Sequence, residues 1–203
     1  MYLEYKGIFQ KLRLRYFRKV IRRYGLKEGM KFLDYGCGPG DMLQIAKACG
    51  LESYGVDKAE YSVNLAQERG LDVILGDHES MDLALESFDV VFLQSVIEHV
   101  EDPVALIKGL RRYLVADGLL ILSSPTPGSY FWDDPTHIRP YTPKSFRTLA
   151  QICGFEVVEV SYVFAFLLGL RLKNSFFYKV MNVQPLPLGS NIIGTFKKSG
   201  TTS

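Results

Sequence analysis

The sequence is poor in cysteine, with three in 203 residues. Cys37, Cys49 and Cys153 are odd in number and lie in predicted turn and helix positions, which favours reduced thiols in a cytoplasmic setting. The first residues lack a compact apolar core followed by a small-residue cleavage site, so we expect no signal peptide. Repeats and low-complexity tracts are also missing, and an apolar content of 47% suits one globular domain.

The segment from Lys31 to Asp41, KFLDYGCGPGD, places a glycine cluster directly after a strand-like apolar run. Glycines at such a turn allow positive φ and close approach of a ligand. Three glycines supply this freedom: Gly36, Gly38 and Gly40. Asp41 stands where the dinucleotide fingerprint needs its third glycine, which weakens a pyrophosphate interpretation. Asp34 and Asp41 would repel phosphate and suit a cationic ligand, so we expect a bound nucleoside that carries positive charge.

The run LDYGCGPGD resembles the first motif of the class I S-adenosylmethionine-dependent methyltransferases. Their ligand carries a sulfonium and an ammonium group, which fit the acidic surroundings of the loop. Asp57 ends a strand-like YGVD about 20 residues after the loop, where nucleoside-binding α/β folds place a carboxylate for the ribose hydroxyls. The resemblance implies S-adenosyl-L-methionine as cofactor. It assigns the following residues to the cofactor site: Asp34, Gly36, Cys37, Gly38, Gly40, Asp57, Lys58, Asp77, His78, Gln94 and Ser95.

The segments after Asp57 resemble those of the same family and occur in the same order along the chain. DVILGD ends in Asp77, which in the family faces the adenine amino group, and His78 frames the ring through its backbone. FDVVFLQ and GLLILSSP are the predicted fourth and fifth strands. Helices are predicted between the strands, from Asp41 to Cys49, from Ala59 to Arg69 and from Pro103 to Leu114. This alternation predicts an α/β fold with a doubly wound sheet. The resemblance implies a Rossmann-like sheet of seven strands in the order 3-2-1-4-5-7-6, with strand 7 antiparallel and helices on both faces.

Positive charge is concentrated at one end of the chain. Residues 1–24 carry eight Lys or Arg against Glu4 alone, although the net charge of the whole chain is +2. Apolar residues recur there at helical spacing, so we predict a basic amphipathic helix over 1–24 and a single domain over 25–203. The helix either covers the cofactor cleft, meets anionic lipid or a lipid-linked acceptor, or contacts RNA. An apolar insertion is predicted at about 164–190. Its apolar run YVFAFLLGL, from Tyr162 to Leu170, is too short to span a bilayer.

The loop SYFWDDPTHIRPYTP after strand five holds the candidate catalytic residues. His137 is the proposed general base for a hydroxyl acceptor, or else a structural histidine bonded to a loop carbonyl. Asp134 or Asp133 would orient its ring, and Arg139 would hold an anionic group of the acceptor. The neighbouring aromatic residues could stack on a sugar or other flat face. These are Tyr130, Phe131 and Trp132.

The segment VIEHVEDP resembles part of the ubiquinone-pathway O-methyltransferases and of the small-RNA 2′-O-methyltransferases, some of which bind a divalent cation through E-x-x-E-H. Glu98 and His99 match the last two positions, but Ser95 replaces the first carboxylate. Two ligands seldom hold a hard cation, so we expect no metal and interpret Glu98 and His99 as capping and packing residues.

We therefore predict a cytoplasmic methyltransferase, either free or peripherally bound to the membrane. Its predicted acceptor is a small molecule, a saccharide or a lipid-linked compound, with a hydroxyl oxygen as the methylated atom. Contact with membrane would run through residues 1–24. The sequence has no Pro-Cys pair and no (D/N/S)-P-P-(Y/F/W) after strand four, which speaks against DNA base methylation. A non-catalytic partner subunit of the same fold and an RNA-directed methyltransferase are the alternatives.

Overall fold

The structure is a computed structural model that describes residues 23–164, 171–172 and 190–199. Five strands occupy the first part: β1 Lys31–Tyr35, β2 Glu52–Asp57, β3 Asp72–Leu75, β4 Phe88–Gln94 and β5 Leu114–Pro125. Three helices lie between them: α1 Asp41–Lys47, α2 Glu60–Glu68 and α3 Pro103–Arg111. The remaining elements are α4 Pro143–Ile152, β6 Phe155–Phe164, β7 Arg171–Leu172 and β8 Ser190–Lys198. Two short 3₁₀ turns cover Ile97–His99 and Ser129–Asp133.

The strands form one sheet in the order β3-β2-β1-β4-β5-β8-β6-β7. Strands β1 to β5 run parallel, whereas β8 is antiparallel to β5 and to β6. With β8 as the predicted seventh strand, the expected order 3-2-1-4-5-7-6 is confirmed. The two-residue β7 extends the edge beside β6 and was not predicted. The strand order reverses between β1 and β4. Folds of this kind bind their ligands in the crevice at the carboxyl ends of the two strands at such a reversal.

Helices cover both faces of the sheet. This agrees with the strand sequences, which are apolar at almost every position and must therefore be buried on both sides. On β1, Phe32 and Leu33 point to opposite faces, and both are fully buried. Phe32 packs in a cluster with residues of α1 and α2, such as Leu43 and Val63. Leu33 belongs to the other cluster, which includes Leu106 of α3. Each fully buried side chain of this size contributes roughly 1.5 to 3 kcal/mol, so the two helical layers stabilise the sheet that carries the site.

Helix ends follow the expected capping chemistry. Asp102 caps α3, because its Oδ1 accepts from the amides of Val104 and Ala105 at 3.0 and 2.9 Å. Thr142 and Ser145 form a reciprocal capping box at the start of α4, and Gly154 beyond its end has φ +76°. The start of α4 fixes where the loop after β5 returns to the body of the protein.

The predicted helix over residues 1–24 lies almost wholly outside the described residues, and so does most of the predicted insertion at 164–190. Both stay predictions. At the border of the first segment, Arg23 Nη2 lies 2.6 Å from Glu159 Oε2, and the Tyr24 hydroxyl donates to the same oxygen at 3.2 Å. The end of that segment is therefore held against β6.

Candidate functional site

The glycine loop joins β1 to α1 at the carboxyl edge of the sheet. Gly36, Gly38 and Gly40 have φ of +75°, +52° and +83°, in the left-handed region that favours glycine. A Cβ on Gly36 would overlap the side chain of Val96, and one on Gly40 would overlap that of Leu71. A Cβ on Gly38 would meet nothing within 4 Å. The loop is thus packed at both ends and open in its middle, where a ligand can approach the backbone.

Asp57 ends β2 and faces this opening. Its Oδ2 accepts from the Gly38 amide at 2.7 Å, and its Oδ1 accepts from the Ala59 amide at 2.9 Å. A carboxylate has about four lone-pair sites, so each oxygen keeps one for a ligand. Lys58 is exposed beside it. The residue predicted to bind ribose therefore lies next to the glycine predicted to approach the cofactor.

Asp34 is buried beneath the loop, with 3% of its surface exposed. Burial, and after it the negative charge of Asp57, raise the pKa of its carboxyl from 3.8 to about 8. In the ligand-free protein Asp34 is therefore largely protonated at neutral pH. A cation placed beside it would favour the ionised form.

The expectation that Asp41 adds its negative charge to the site needs correction. Arg69 Nη1 lies 3.0 Å from Asp41 Oδ1 and donates to the Pro39 carbonyl at 2.6 Å. This arginine neutralises Asp41 and ties α2 to the glycine loop. The charge available to a cationic ligand comes from Asp34 and Asp57 instead.

Cys37 lies within the loop but faces the core. A Cβ on Gly55 of β2 would come within 2.8 Å of its Sγ, so the absence of a side chain there makes room for the sulfur. Burial raises the pKa of the Cys37 thiol well above its usual range, and the nearby Asp34 and Asp57 raise it further. A thiol in this setting packs and has no nucleophilic character at neutral pH.

Asp77 and His78 follow β3 on the same edge. Asp77 Oδ1 accepts from the Ser80 hydroxyl at 2.8 Å and from the amides of Glu79 and Ser80 at 3.0 Å. These bonds, that of the Ser80 hydroxyl first, lower the pKa of Asp77. The His78 amide donates to the Tyr35 hydroxyl at 3.2 Å, a contact that the sequence did not reveal. An adenine that bound this amide would displace the Tyr35 hydroxyl.

Gln94 and Ser95 end β4 opposite the glycine loop. Gln94 pairs with Ser123 of β5, and the Ser95 amide donates to the Ser123 carbonyl at 2.9 Å. Ser95 has φ +55°, unusual for a residue with a side chain, and turns the chain into the 3₁₀ segment that follows. That segment carries Glu98 and His99.

A second group of polar side chains lies at the end of β4 and in the loop after β5. Glu98, His99 and His137 each offer a donor atom, and these atoms lie within 4.8 Å of one another. The rings of His99 and His137 are in contact, with centroids 4.8 Å apart and planes tilted by 55°. Among the described residues this is the group with the composition to hold a metal ion.

The ring nitrogens of both histidines have defined partners. His137 Nδ1 lies 2.6 Å from the Phe131 carbonyl, and His99 Nδ1 lies 3.1 Å from the Thr136 carbonyl. Because a carbonyl only accepts, both Nδ1 atoms carry hydrogen and the neutral rings present Nε2 as a lone pair. Asp134, the predicted orienter of His137, instead accepts from Thr136, and its Oδ2 lies 3.8 Å from His137 Nε2. The Phe131 carbonyl orients the ring.

Glu98 is fully buried, and neither carboxylate oxygen has a hydrogen-bond partner among the described residues. Burial raises the pKa of its carboxyl, whereas His99, His137 and the Ser124 hydroxyl act in the opposite direction. The Ser124 hydroxyl itself donates to the Pro125 carbonyl. The interpretation of Glu98 as a capping residue does not explain a buried carboxylate without partners.

The backbone of Glu98 also anchors the loop after β5. Its carbonyl accepts from the amides of Ile138 and Arg139 at 2.8 and 3.3 Å. The side chain of Arg139 is exposed. Phe131 is fully buried against the His137 ring, which removes it from the predicted stacking surface, whereas Trp132 is 61% exposed.

Comparison with known proteins identifies the family of the chain. A family model described as a methyltransferase domain matches residues 9–160. The chain belongs to this methyltransferase family. The predictions of a class I methyltransferase and of S-adenosyl-L-methionine as its cofactor are confirmed.

Several curated proteins are similar to this methyltransferase over part of their length. A ubiquinone biosynthesis O-methyltransferase of Cereibacter sphaeroides is 35% identical over 103 residues, which are 48% of this chain and 42% of that protein. The enzyme of the same name from Parvibaculum lavamentivorans is 31% identical over 130 residues, 57% of this chain and 51% of that protein. The chain spans about half the length of the curated relatives it matches.

Solved structures share the fold of this methyltransferase. A SAM-dependent methyltransferase from Archaeoglobus fulgidus has a TM-score of 0.68 at 23% identity, covering 98% of this chain and 100% of that one. A phosphoethanolamine N-methyltransferase 2 of Haemonchus contortus, in complex with S-adenosylhomocysteine, has a TM-score of 0.69 at 19% identity, covering 90% of this chain and 52% of that one. Within the described ranges, no helix has the length and apolar content that crossing a bilayer requires.

Proposed function

We propose that this methyltransferase transfers the methyl group of S-adenosyl-L-methionine to a hydroxyl oxygen of a small molecule. The proposal rests mainly on the cluster of Glu98, His99 and His137, whose side chains can accept a proton. This cluster lies on loops next to the residues that would bind the cofactor. A hydroxyl nucleophile must lose its proton during the transfer, and such a group can receive it. The curated relatives are named as O-methyltransferases, which supports an oxygen acceptor.

The cofactor would lie over the glycine loop. Asp57 would accept both ribose hydroxyl protons, while Asp77 and the backbone of His78 would frame the adenine. Asp34 would face the positive charge of the methionine part, with Gln94 and Ser95 closing the site from β4. Gly36 packs against Val96, two residues before Glu98, so the cofactor loop touches the segment that carries the acceptor residues. This contact supports placing the two substrates side by side.

In the transfer, the acceptor oxygen attacks the methyl carbon as the carbon–sulfur bond breaks, and the bonding electron pair stays on sulfur. The acceptor proton passes to Nε2 of His137, the nitrogen that the Phe131 carbonyl leaves free. The cofactor already supplies the activated methyl group, so the protein chiefly aligns the two atoms and excludes water. Asp134 would act through Thr136 on the ring of His99.

The acceptor site would be formed by the loop after β5. Trp132 and Ile138 are 61% and 48% exposed there and offer apolar contact to a flat or partly apolar molecule. Arg139, exposed on the same loop, would bind an anionic group. A phenolic small molecule fits these residues best, and a saccharide or a lipid-linked acceptor would use the same loop. Placement in the cytoplasm, with or without membrane contact through residues 1–24, accords with this chemistry.

The test is transfer of labelled methyl from S-adenosylmethionine to a panel of phenols, catechols, saccharides and amines, with Asp57→Ala as the control without cofactor binding. We expect labelled methyl ethers from hydroxyl acceptors and equimolar S-adenosylhomocysteine. Transfer confined to amines would refute the oxygen acceptor. Binding of the cofactor with no transfer to any class would refute the small-molecule assignment.

A further inference from the structure

We propose that the Tyr35 hydroxyl binds the adenine ring of the cofactor by donating its hydrogen to ring nitrogen N1. This inference deepens the function proposed above and rests on the cofactor position given there. The residues that the sequence assigns to the cofactor site do not include Tyr35. It would act between the protein backbone and the base, because its oxygen already accepts from the His78 amide at 3.2 Å.

The Tyr35 hydroxyl has a hydrogen to offer. A hydroxyl donates one hydrogen and accepts through two lone pairs. One lone pair of Tyr35 is used by the His78 amide. Within the part of the chain that the structure describes, no acceptor takes the hydrogen of this hydroxyl. A bond received from an amide polarises the O–H group and makes it a stronger donor, so an acceptor atom on a ligand would complete the arrangement.

This hydroxyl keeps its hydrogen at neutral pH. Burial raises the pKa of Tyr35 above its ordinary value, and the His78 amide acts in the opposite direction. The negative charges of Asp77, Asp57 and Glu79 add to the rise. The hydroxyl is therefore close enough to feel both the proposed ribose ligand Asp57 and Asp77, the residue proposed beside the adenine.

Both partners of the bond between Tyr35 and His78 are anchored. Tyr35 ends β1, pairs with Val56 of β2, and packs its half-buried ring against the apolar core. The His78 ring packs against α3 at Gly109, where a Cβ would come within 2.8 Å of the His78 Cδ2. Moving the Tyr35 hydroxyl away from the amide would expose apolar surface that the ring now covers. Adenine would therefore bind the hydroxyl in place, without displacing it from the amide.

Asp77 indicates which edge of the base meets the hydroxyl. Its three hydrogen bonds, from the Ser80 hydroxyl and from two amides, all end on Oδ1, so Oδ2 can accept from the adenine amino group. N1 is bonded to the carbon that bears this amino group, and it lies farther from the sugar than N3 or N7. A donor hydroxyl beside an acceptor carboxylate matches adenine. Guanine and hypoxanthine carry an oxygen in place of the amino group, which the carboxylate would repel.

The experiment compares ligand binding by the wild type and by Tyr35→Phe in calorimetric titrations. The ligands are S-adenosylhomocysteine and its 1-deaza analogue, in which a C–H group replaces N1. We expect Tyr35→Phe to bind S-adenosylhomocysteine roughly 3- to 30-fold more weakly than the wild type does. The wild type should lose a similar factor with the 1-deaza analogue. Tyr35→Phe, which has no hydrogen to donate, should bind the two ligands with equal affinity within about twofold.

Two controls accompany this comparison. Tyr54→Phe removes a hydroxyl from a neighbouring half-buried tyrosine, whose ring packs against the same core and contacts Phe88. This variant should bind both ligands as the wild type does. The 7-deaza analogue of S-adenosylhomocysteine keeps N1, so Tyr35→Phe should weaken its binding by the same factor as that of the natural ligand.

Unchanged or tighter binding of S-adenosylhomocysteine by Tyr35→Phe would overturn the proposal, because the hydroxyl would then be idle or in the way of the base. An equal loss with the 1-deaza analogue in wild type and variant would also overturn it, since Tyr35 would then act through packing alone. If Tyr35→Phe does not fold, the wild type decides the question, and equal affinity for the two ligands refutes the contact.

These titrations involve no acceptor, so they are independent of the proposed transfer to a hydroxyl. The expected binding pattern together with transfer confined to amines would refute the oxygen acceptor and support the contact of Tyr35 with adenine. Transfer to hydroxyls together with unchanged binding in Tyr35→Phe would support the proposed function and refute this contact.

Discussion

The Asp57 carboxylate accepts a hydrogen bond from the Gly38 amide at 2.7 Å, so the end of β2 holds the glycine loop that follows β1. The proposed ribose ligand and the loop that approaches the cofactor therefore form one unit. The Ala59 amide fixes the other carboxylate oxygen at 2.9 Å. Loss of this side chain would affect both the cofactor contacts and the loop that shapes the pocket.

For Asp57→Ala we expect cofactor affinity to fall by roughly 2 to 4 kcal/mol, because two ribose hydroxyls would be buried without partners. That loss corresponds to about 30- to 1000-fold in Kd. Calorimetric titration with S-adenosylmethionine and S-adenosylhomocysteine measures it. Asp57→Asn keeps one acceptor oxygen and should lose less, and Glu60→Gln on the neighbouring helix should bind as the wild type does. Unchanged affinity in Asp57→Ala would refute the assigned site.

Gly36→Ala and Gly38→Ala separate stability from binding. Alanine at either position costs on the order of 1 to 3 kcal/mol of backbone strain at positive φ. At position 36 its Cβ would also overlap Val96, whereas at position 38 it would enter open space. Denaturant unfolding should therefore show the larger loss of stability for Gly36→Ala. Calorimetry should show that Gly38→Ala, although folded, binds the cofactor poorly. Equal stability of the two variants would argue against the contact with Val96.

Asp34 should make cofactor binding depend on pH. Its pKa is raised to about 8, so below that pH a cationic ligand must displace a proton from Asp34. Affinity should rise with pH up to about 8, with release of a proton, which calorimetry detects in buffers of different ionisation enthalpy. In the Asp34→Asn variant, cofactor binding should no longer release this proton. Proton release that persists in the variant would assign it to another group.

The same carboxyl should affect stability. The native protein keeps the proton of Asp34 between pH 4 and about 8, whereas the unfolded chain has lost it. Stabilisation from this group is therefore complete below pH 4 and is lost as the pH rises through about 8. The melting temperature of the wild type should fall relative to that of Asp34→Asn across this window. Parallel melting curves would contradict the raised pKa.

His137→Gln should slow methyl transfer by about 100- to 10,000-fold while cofactor affinity stays within a factor of two, because the residue lies on the acceptor side. The loss should be in kcat and should change the pH profile of the rate. Steady-state kinetics with the best acceptor of the panel measures both. Glu101→Gln, a change of an exposed carboxylate just before α3, serves as the control. Full activity in His137→Gln would make this histidine purely structural.

The cofactor side of the site was predictable from the sequence because its residues follow strands at characteristic spacings. Asp57 and the three glycines could be placed at one edge once the strand order was known. His137 and Glu98 could not be paired in this way. They are 39 positions apart, and backbone bonds from Ile138 and Arg139 to the Glu98 carbonyl bring them together. Local patterns carry no information about such a contact.

Two further differences have local causes. The predicted helix from Pro103 to Leu114 ends at Arg111, because Leu114 is fully buried as the first residue of β5 and pairs with Phe88. The apolar side chain of Leu114 is compatible with a helix or with a buried strand, so the local sequence does not distinguish them. Pairing with β4 places this residue in a strand. The sequence suggested that the negative charge of Asp41 acts on the ligand. In the structure this charge is neutralised by Arg69, which follows α2.

The backbone bonds at Glu98 have a consequence for protein engineering. They hold the base of the loop after β5 through main-chain atoms, independently of the side chains at its tip. Residues 132–136, which are all exposed, can be exchanged for the corresponding tips of related proteins without removing that anchor. Such grafted loops would change which acceptor molecules bind, while the cofactor pocket stays intact. The acceptor preferences of related proteins could then be compared in a single protein.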